Sequence, residues 1–273
     1  MKKMLFTLFF ILFIGAIVTF LFLQIRGVKK ETISIAVVGP TSDDQSILGK
    51  AMLKGIDLYL DKINRRGGIN GKRVKRLVFD DNNDEISAIK TASRIADERE
   101  ALLVLGHYHS QTAAAAGKIY KRMRVPAITA SATAEKVTDE NDCYFRVIPG
   151  NLFVASFIVN FVNKNLRQSS VCIVSGKDAY SRSLAKGFEN ASRRFGIEVK
   201  NRWEFSGEND DAARIASKIE TSETILMAMH APEAAKLVVL LKSMDTECRI
   251  VGGDALSTEL FLNELKKYPL EAS

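Results

Sequence analysis

Short, continuously apolar runs rich in β-branched residues alternate with longer amphipathic stretches between Ile33 and Gly252. Strands without in–out alternation are buried on both faces, and helical stretches between them are the connections that parallel strands require. The pattern implies an α/β fold in which a parallel sheet carries helices on both faces.

The first run, Ile33–Gly39, ends in Gly-Pro and reads as a buried strand. Leu48, Met52, Ile56, Tyr59 and Ile63 follow at helical spacing over 46–66, closed by Gly67-Gly68. Strands are then predicted at 73–80, 102–106 and 125–129, with helices at 85–98 and 111–123 between them. Ser110 stands where it would cap the third helix. A break falls near Arg146-Val-Ile-Pro-Gly-Asn151, and the alternation restarts. Helices are predicted at 152–165, 180–195, 210–219 and 232–244, and strands at 170–175, 198–205, 224–229 and 249–252. The division is therefore a segment 1–30, a first lobe 31–149 and a second lobe 150–273, with a cleft between the lobes.

Met4–Ile25 holds no charged residue and is bounded by Lys2-Lys3 and Arg26. As a helix it would extend about 33 Å, close to the hydrocarbon thickness of a bilayer. A cleaved secretory signal needs a small-residue cleavage site, and Ala16 is the one candidate, with six strongly apolar residues after it. An uncleaved anchor is favoured over a signal segment, and with basic residues on both sides the positive-inside bias that would set its orientation is nearly balanced. The same segment explains the charge. Of 39 basic residues, 5 lie in 1–30 with no acid, so 34 face 32 acidic residues in the remainder. A nucleic-acid-binding face is not expected from so balanced a body.

Known chemistry motifs are missing. Gly39-Pro-Thr-Ser-Asp after the first strand fits no phosphate-binding loop, and no Gly-x-Ser-x-Gly elbow is present. Asp80–Glu85 resembles a calcium loop but lacks its glycine and terminal glutamate, so a strand-end turn into a helix cap is the better reading. His107 and His109 lack a third metal ligand and read as polar loop residues beside a cleft. The basic stretch 65–76 has no interleaved aromatics and reads as solvated. Cys143, Cys172 and Cys248 are too widely spaced for a zinc or dithiol motif and read as structural thiols. No metal or cofactor is expected.

Two strand-to-helix loops stand out: Gly106-His-Tyr-His-Ser-Gln-Thr112 and Thr129-Ala-Ser-Ala-Thr133. Both follow strand carboxyl ends, where parallel sheets place ligands, and their hydroxyls and helix amides suit a carboxylate. Simple capping is the competing account.

Together with Ile35-Ala-Val-Val-Gly39, Gly67-Gly-Ile-Asn-Gly71, Asp80-Asp81, Tyr144-Phe-Arg146 and Gly252-Gly-Asp254, these loops make residues 33–260 similar to a known family. The chain resembles the branched-chain amino-acid (Leu/Ile/Val)-binding proteins, the type I periplasmic substrate-binding proteins of ABC transporters. The resemblance implies a two-lobed Venus-flytrap fold with a small-molecule ligand, an amino acid or similar zwitterion, between the lobes. It implies that the Ser110 and Thr133 hydroxyls, with groups near Tyr108 and Ser131, take the ligand carboxylate. Tyr180 and His230 would come from the second lobe, and Asp254 would pair with the ligand ammonium. Leu48 stands where many members have an aromatic, and Asn82 or Asn83 and His109 stand where the family has a first-lobe disulfide. Members run on for roughly another 100 residues, so the family's C-terminal return segment is expected to be missing and an apolar face of the first lobe exposed. The expected role is non-enzymatic solute capture for an ABC permease. The alternatives are a sensory ectodomain acting on a separate signalling partner and a truncated member that does not bind.

Overall fold

The computed structural model describes residues 32–42, 46–221 and 223–267. The expected anchor at 4–25 lies outside the described residues, and within them no helix is long and apolar enough to cross a membrane. The chain folds as two parallel α/β lobes.

The first lobe contains β1 (Thr32–Gly39), α1 (Ser46–Arg65), β2 (Arg73–Asp80), α2 (Glu85–Glu98), β3 (Val104–Gly106), α3 (Ser110–Met123), β4 (Ala127–Thr129) and β5 (Tyr144–Arg146). Its sheet runs β2-β1-β3-β4-β5, every pair parallel. The sequence reading ends this lobe at four strands. Tyr144-Phe-Arg146 is too short to announce a strand by periodicity, and it is one because its backbone pairs with Ala127–Thr129. Ala36 and Val38 face α2 and α3 across a core that includes Ala92, Ile95, Ala113, Ala116 and Tyr120. The alanines at helical spacing let both helices lie close to the sheet and to each other. Ile35 and Val37 point to the opposite face, by the two-residue period of a strand. There α1, packed against β2, has Gly49 as its one fully buried residue among those described. Leu58 and Tyr59 on α1 are 72% and 62% exposed, so the expected apolar exposure on the first lobe is present.

The second lobe contains α4 (Asn151–Lys164), β6 (Ser170–Ser175), α5 (Ala179–Phe195), β7 (Glu198–Glu204), α6 (Asn209–Ala216), β8 (Thr224–Ala228), α7 (Ala231–Ser243), β9 (Arg249–Gly252) and α8 (Glu259–Lys266). The sheet order is β7-β6-β8-β9, again parallel throughout. Here both faces are filled. Val171, Ile173, Leu226 and Ala228 pack against α4 and α5, whereas Val174, Ile225 and Met227 pack against α6 and α7. β7 is one of the two edge strands, and its exposed Glu198, Lys200, Arg202 and Glu204 discourage pairing with another chain.

Cys143 and Cys172 are buried free thiols and Cys248 is half-buried. Asp84 caps α2 by accepting from the Ser87 N–H at 2.8 Å, so the acidic run is a capping turn. The basic stretch is not wholly solvated, because Arg76 pairs with Asp57.

Candidate ligand-binding cleft

Strand carboxyl ends and helix N-termini of both lobes meet at one cavity of about 90 Å³. Leu48, Tyr108, His109, Ser110 and Ser131 line it from the first lobe, and Tyr180, His230 and Asp254 line it from the second. Six of the seven residues singled out from the sequence thus converge. Thr133 does not line this cavity. Its carbonyl accepts from the Asn151 N–H at 2.9 Å, which ties it to the crossover between lobes, and its hydroxyl is buried without a partner among the described residues.

The loop after β3 is braced from several sides. The His107 Nδ1–H donates to the Asp81 carboxylate at 2.7 Å, and Nε2 is hydrogen-bonded to the Tyr120 hydroxyl at 3.0 Å. The Tyr144 hydroxyl accepts from the His107 N–H and donates to the Gly106 carbonyl, at 2.8 and 2.6 Å. Burial pushes the Tyr120 and Tyr144 phenols upward, so both stay protonated donors. Gly106 has φ +119°, and a Cβ there would collide with the Val38 carbonyl, so this position of the sheet requires glycine. His107 is therefore a brace beneath the cleft and not part of its lining.

Ser110 is not the cap of α3. His109 occupies the N-cap position without a side-chain capping bond, and the Ser110 hydroxyl oxygen accepts from the Ala134 N–H at 3.1 Å. That bond joins the two loops and leaves the Ser110 O–H proton for the cavity. The Ser131 hydroxyl donates to the Tyr108 carbonyl at 2.5 Å, so Ser131 positions the loop more than it offers a donor.

In the second lobe, Asp178 caps α5 by accepting from the Tyr180 and Ser181 N–H groups at 2.8 and 3.2 Å. Its carboxylate also lies 3.4 Å from His230 Nε2. Burial opposes charge on both, but their mutual hydrogen bond and attraction outweigh it. Asp178 is held well below the usual carboxylate range and His230 is raised. The Tyr180 hydroxyl donates to the Asp254 carboxylate at 3.0 Å. Asp254 opens a 3-10 turn directly after β9 and remains exposed at the cavity's edge.

Asp178, Thr258 and Leu260 were not picked out from the sequence. Asp178 carries the ordinary helix-cap signal, which said nothing of His230. Thr258 and Leu260 reach the cavity only because α8 folds back on α7.

A family model described as periplasmic binding protein matches residues 32–272. An amino acid binding protein of Pseudomonas aeruginosa is 28% identical over 82% of this chain and 61% of its own length. A Leu/Ile/Val-binding protein of Rhizobium johnstonii is 26% identical over 84% of this chain and 63% of its own. The chain thus spans about three-fifths of the length of these curated relatives. Among solved structures, the branched-chain amino acid transporter substrate-binding protein LivJ of Streptococcus pneumoniae, in complex with isoleucine, superposes with TM-score 0.76 at 25% identity. That match covers 86% of this chain and 68% of LivJ. The leucine-binding protein LivK of Thermotoga maritima shares the fold with TM-score 0.77 at 22% identity, over 85% of this chain and 67% of that one. With its two parallel lobes, the cleft between them and a family match along nearly all of its described length, the chain belongs to the periplasmic binding protein family.

Proposed function

We propose that this protein is an extracytoplasmic solute-binding protein that captures an amino acid or similar small zwitterion between its lobes for an ABC transporter. The observation that carries the reading is the division of polar groups across one cavity. Neutral donors, the Ser110 hydroxyl and the first turn of α3, come from one lobe, and the Asp254 carboxylate comes from the other. A ligand with a carboxylate at one end and an ammonium at the other satisfies both lobes at once and so favours closure. Tyr180 orients Asp254, Tyr108 and Ser131 shape the carboxylate loop, and His230 closes the cavity from the second lobe. Thr133 enters this reading as a hinge-side residue whose buried hydroxyl a carboxylate would satisfy after a small rotation of the loop. The role is capture and release, without a chemical step. Residues 4–25 hold the protein at the membrane, and the closed form is what a permease recognises.

Thermal denaturation of the full chain in detergent against amino acids, amides and short organic acids tests the reading. A ligand at 100 times its dissociation constant adds about 2.7 kcal/mol of stability. Stabilisation by monocarboxylates and not by amino acids would overturn it. N-terminal mass spectrometry of the membrane fraction tests the anchor, and a mature terminus near residue 17 would remove it.

A further inference from the structure

We propose that the molecule held in this cleft has a short side chain ending in a hydroxyl or carboxamide, and that His109 reads that group. The inference rests on the reading of the cleft as a zwitterion site and names the third part of its ligand.

His109 lines the cavity yet is only 7% exposed, and its Nε2 is buried with no hydrogen-bond partner among the described residues. The contrast with His107 is direct, since both nitrogens of that imidazole are bonded, to Asp81 and Tyr120. Buried polar atoms in folded proteins are paired with protein, water or ligand, because an unpaired one forfeits its hydration. Among the described residues nothing else uses the His109 ring for hydrogen bonding. It occupies the N-cap of α3 without capping it, and it touches Tyr108 and His230 only through ring contacts at 5.1 and 5.3 Å.

The chemistry of the group it would meet follows. Burial, and then the charge of His230, lower the His109 pKa to about 4 against the pull of Asp81 and Asp178, so the ring is neutral near pH 7. A neutral imidazole presents one donor and one acceptor, which a hydroxyl or carboxamide can satisfy without bringing in another charge. An aliphatic side chain would seal the nitrogen against hydrocarbon. Leu48, on the same wall, offers contact for the carbon part of the side chain. The space is small: about 90 Å³, against the ~150 Å³ that admits benzene in an engineered apolar core.

Threonine and valine are nearly isosteric and differ in the group at issue. Calorimetry on the full chain is expected to show threonine bound at least tenfold more tightly than valine. In His109→Leu the ratio is expected to fall below threefold, and in His109→Gln, which keeps a donor and an acceptor, to persist. Valine binding as tightly as threonine would overturn the proposal while leaving the zwitterion site intact. An unchanged ratio in His109→Leu would also overturn it, with an ordered water as the partner of the ring. Failure of every amino acid, with binding of a carboxylic acid that lacks an ammonium, would overturn the zwitterion reading and this proposal together.

Discussion

The imidazoles of His109 and His230, one from each lobe, meet edge to face with ring centroids 5.3 Å apart and planes at 81°. Their environments divide the proton between them. His230 has Asp178 behind it and gains basicity, whereas His109 is buried with no carboxylate bonded to it among the described residues and loses it. The contact is thus between a protonatable ring and a neutral one, at the surface where the lobes touch.

A pH dependence of stability follows. His109 binds its proton more weakly in the fold, at about 4, than in the unfolded chain, at 6.5. Its contribution is present above pH 6.5, declines as the pH falls and is gone near pH 4, an amount of about 3 kcal/mol. His230, shifted upward, acts in the other direction: its contribution is complete below pH 6.5 and fades as the pH rises through its folded value. Urea denaturation should therefore show stability falling between pH 6.5 and 4, with a shallower fall in His109→Gln. Equal slopes for the two proteins would contradict this account.

Asp254→Asn should weaken an amino-acid ligand by about 1–3 kcal/mol, the range for a hydrogen bond to a charged group at a partly open site. Tyr180→Phe, which removes the donor orienting that carboxylate, should cost about 1 kcal/mol. Calorimetry on both variants checks the order, and the larger loss is expected in Asp254→Asn.

Gln111 reaches across the cleft, its side-chain oxygen accepting from the Ala179 N–H at 2.9 Å. Glu135 does the same nearby, accepting from the Ser183 hydroxyl at 2.6 Å and the Leu152 N–H at 2.8 Å. Gln111→Ala should favour the open arrangement by about 1 kcal/mol. Small-angle scattering would register it as a larger radius of gyration in the ligand-free protein, with ligand affinity lowered several-fold.

Gly253→Ala would drive a Cβ into the Tyr180 hydroxyl and to 2.8 Å from Leu184. Overpacking of this kind costs about 1–3 kcal/mol. Loss of thermal stability together with loss of binding is the expected result, because the same tyrosine holds Asp254.

Phe153, Phe157 and Phe161 form a stripe on α4 with exposures of 66%, 66% and 41%. Contiguous apolar surface of this kind binds hydrophobic dyes. Phe157→Asp should lower dye fluorescence while changing stability by about 0.5 kcal/mol or less.

Most of the architecture was legible in the chain because its signals are local. The strands at 73–80, 170–175 and 249–252 and the helix at 85–98 coincide with the predicted spans, since Gly, Pro and capping residues mark their ends. The site was legible to the extent that loop chemistry reports position. Ser110 and Ser131 lie in loops after strand ends, where parallel sheets gather polar groups, whereas Tyr180, His230 and Asp254 were singled out by the family resemblance. Roles were less legible than positions. Ser110 looked like a cap and is a bridge to Ala134, while Thr133, expected to bind the ligand carboxylate, lies outside the cavity lining with a buried hydroxyl that has no partner among the described residues.

By itself the sequence determined the alternation of strand and helix, the two-lobed plan and the loops that meet at its centre, because periodicity and turn chemistry act over a few residues. Only the tertiary structure decided which atoms remain available there. His107 and His109 are two residues apart and look alike in the sequence, yet one has both nitrogens bonded and the other has a buried nitrogen with no partner among the described residues. That difference depends on Asp81, Tyr120 and His230, brought together from distant parts of the chain, and hydrogen bonding is satisfied or refused by such neighbours alone.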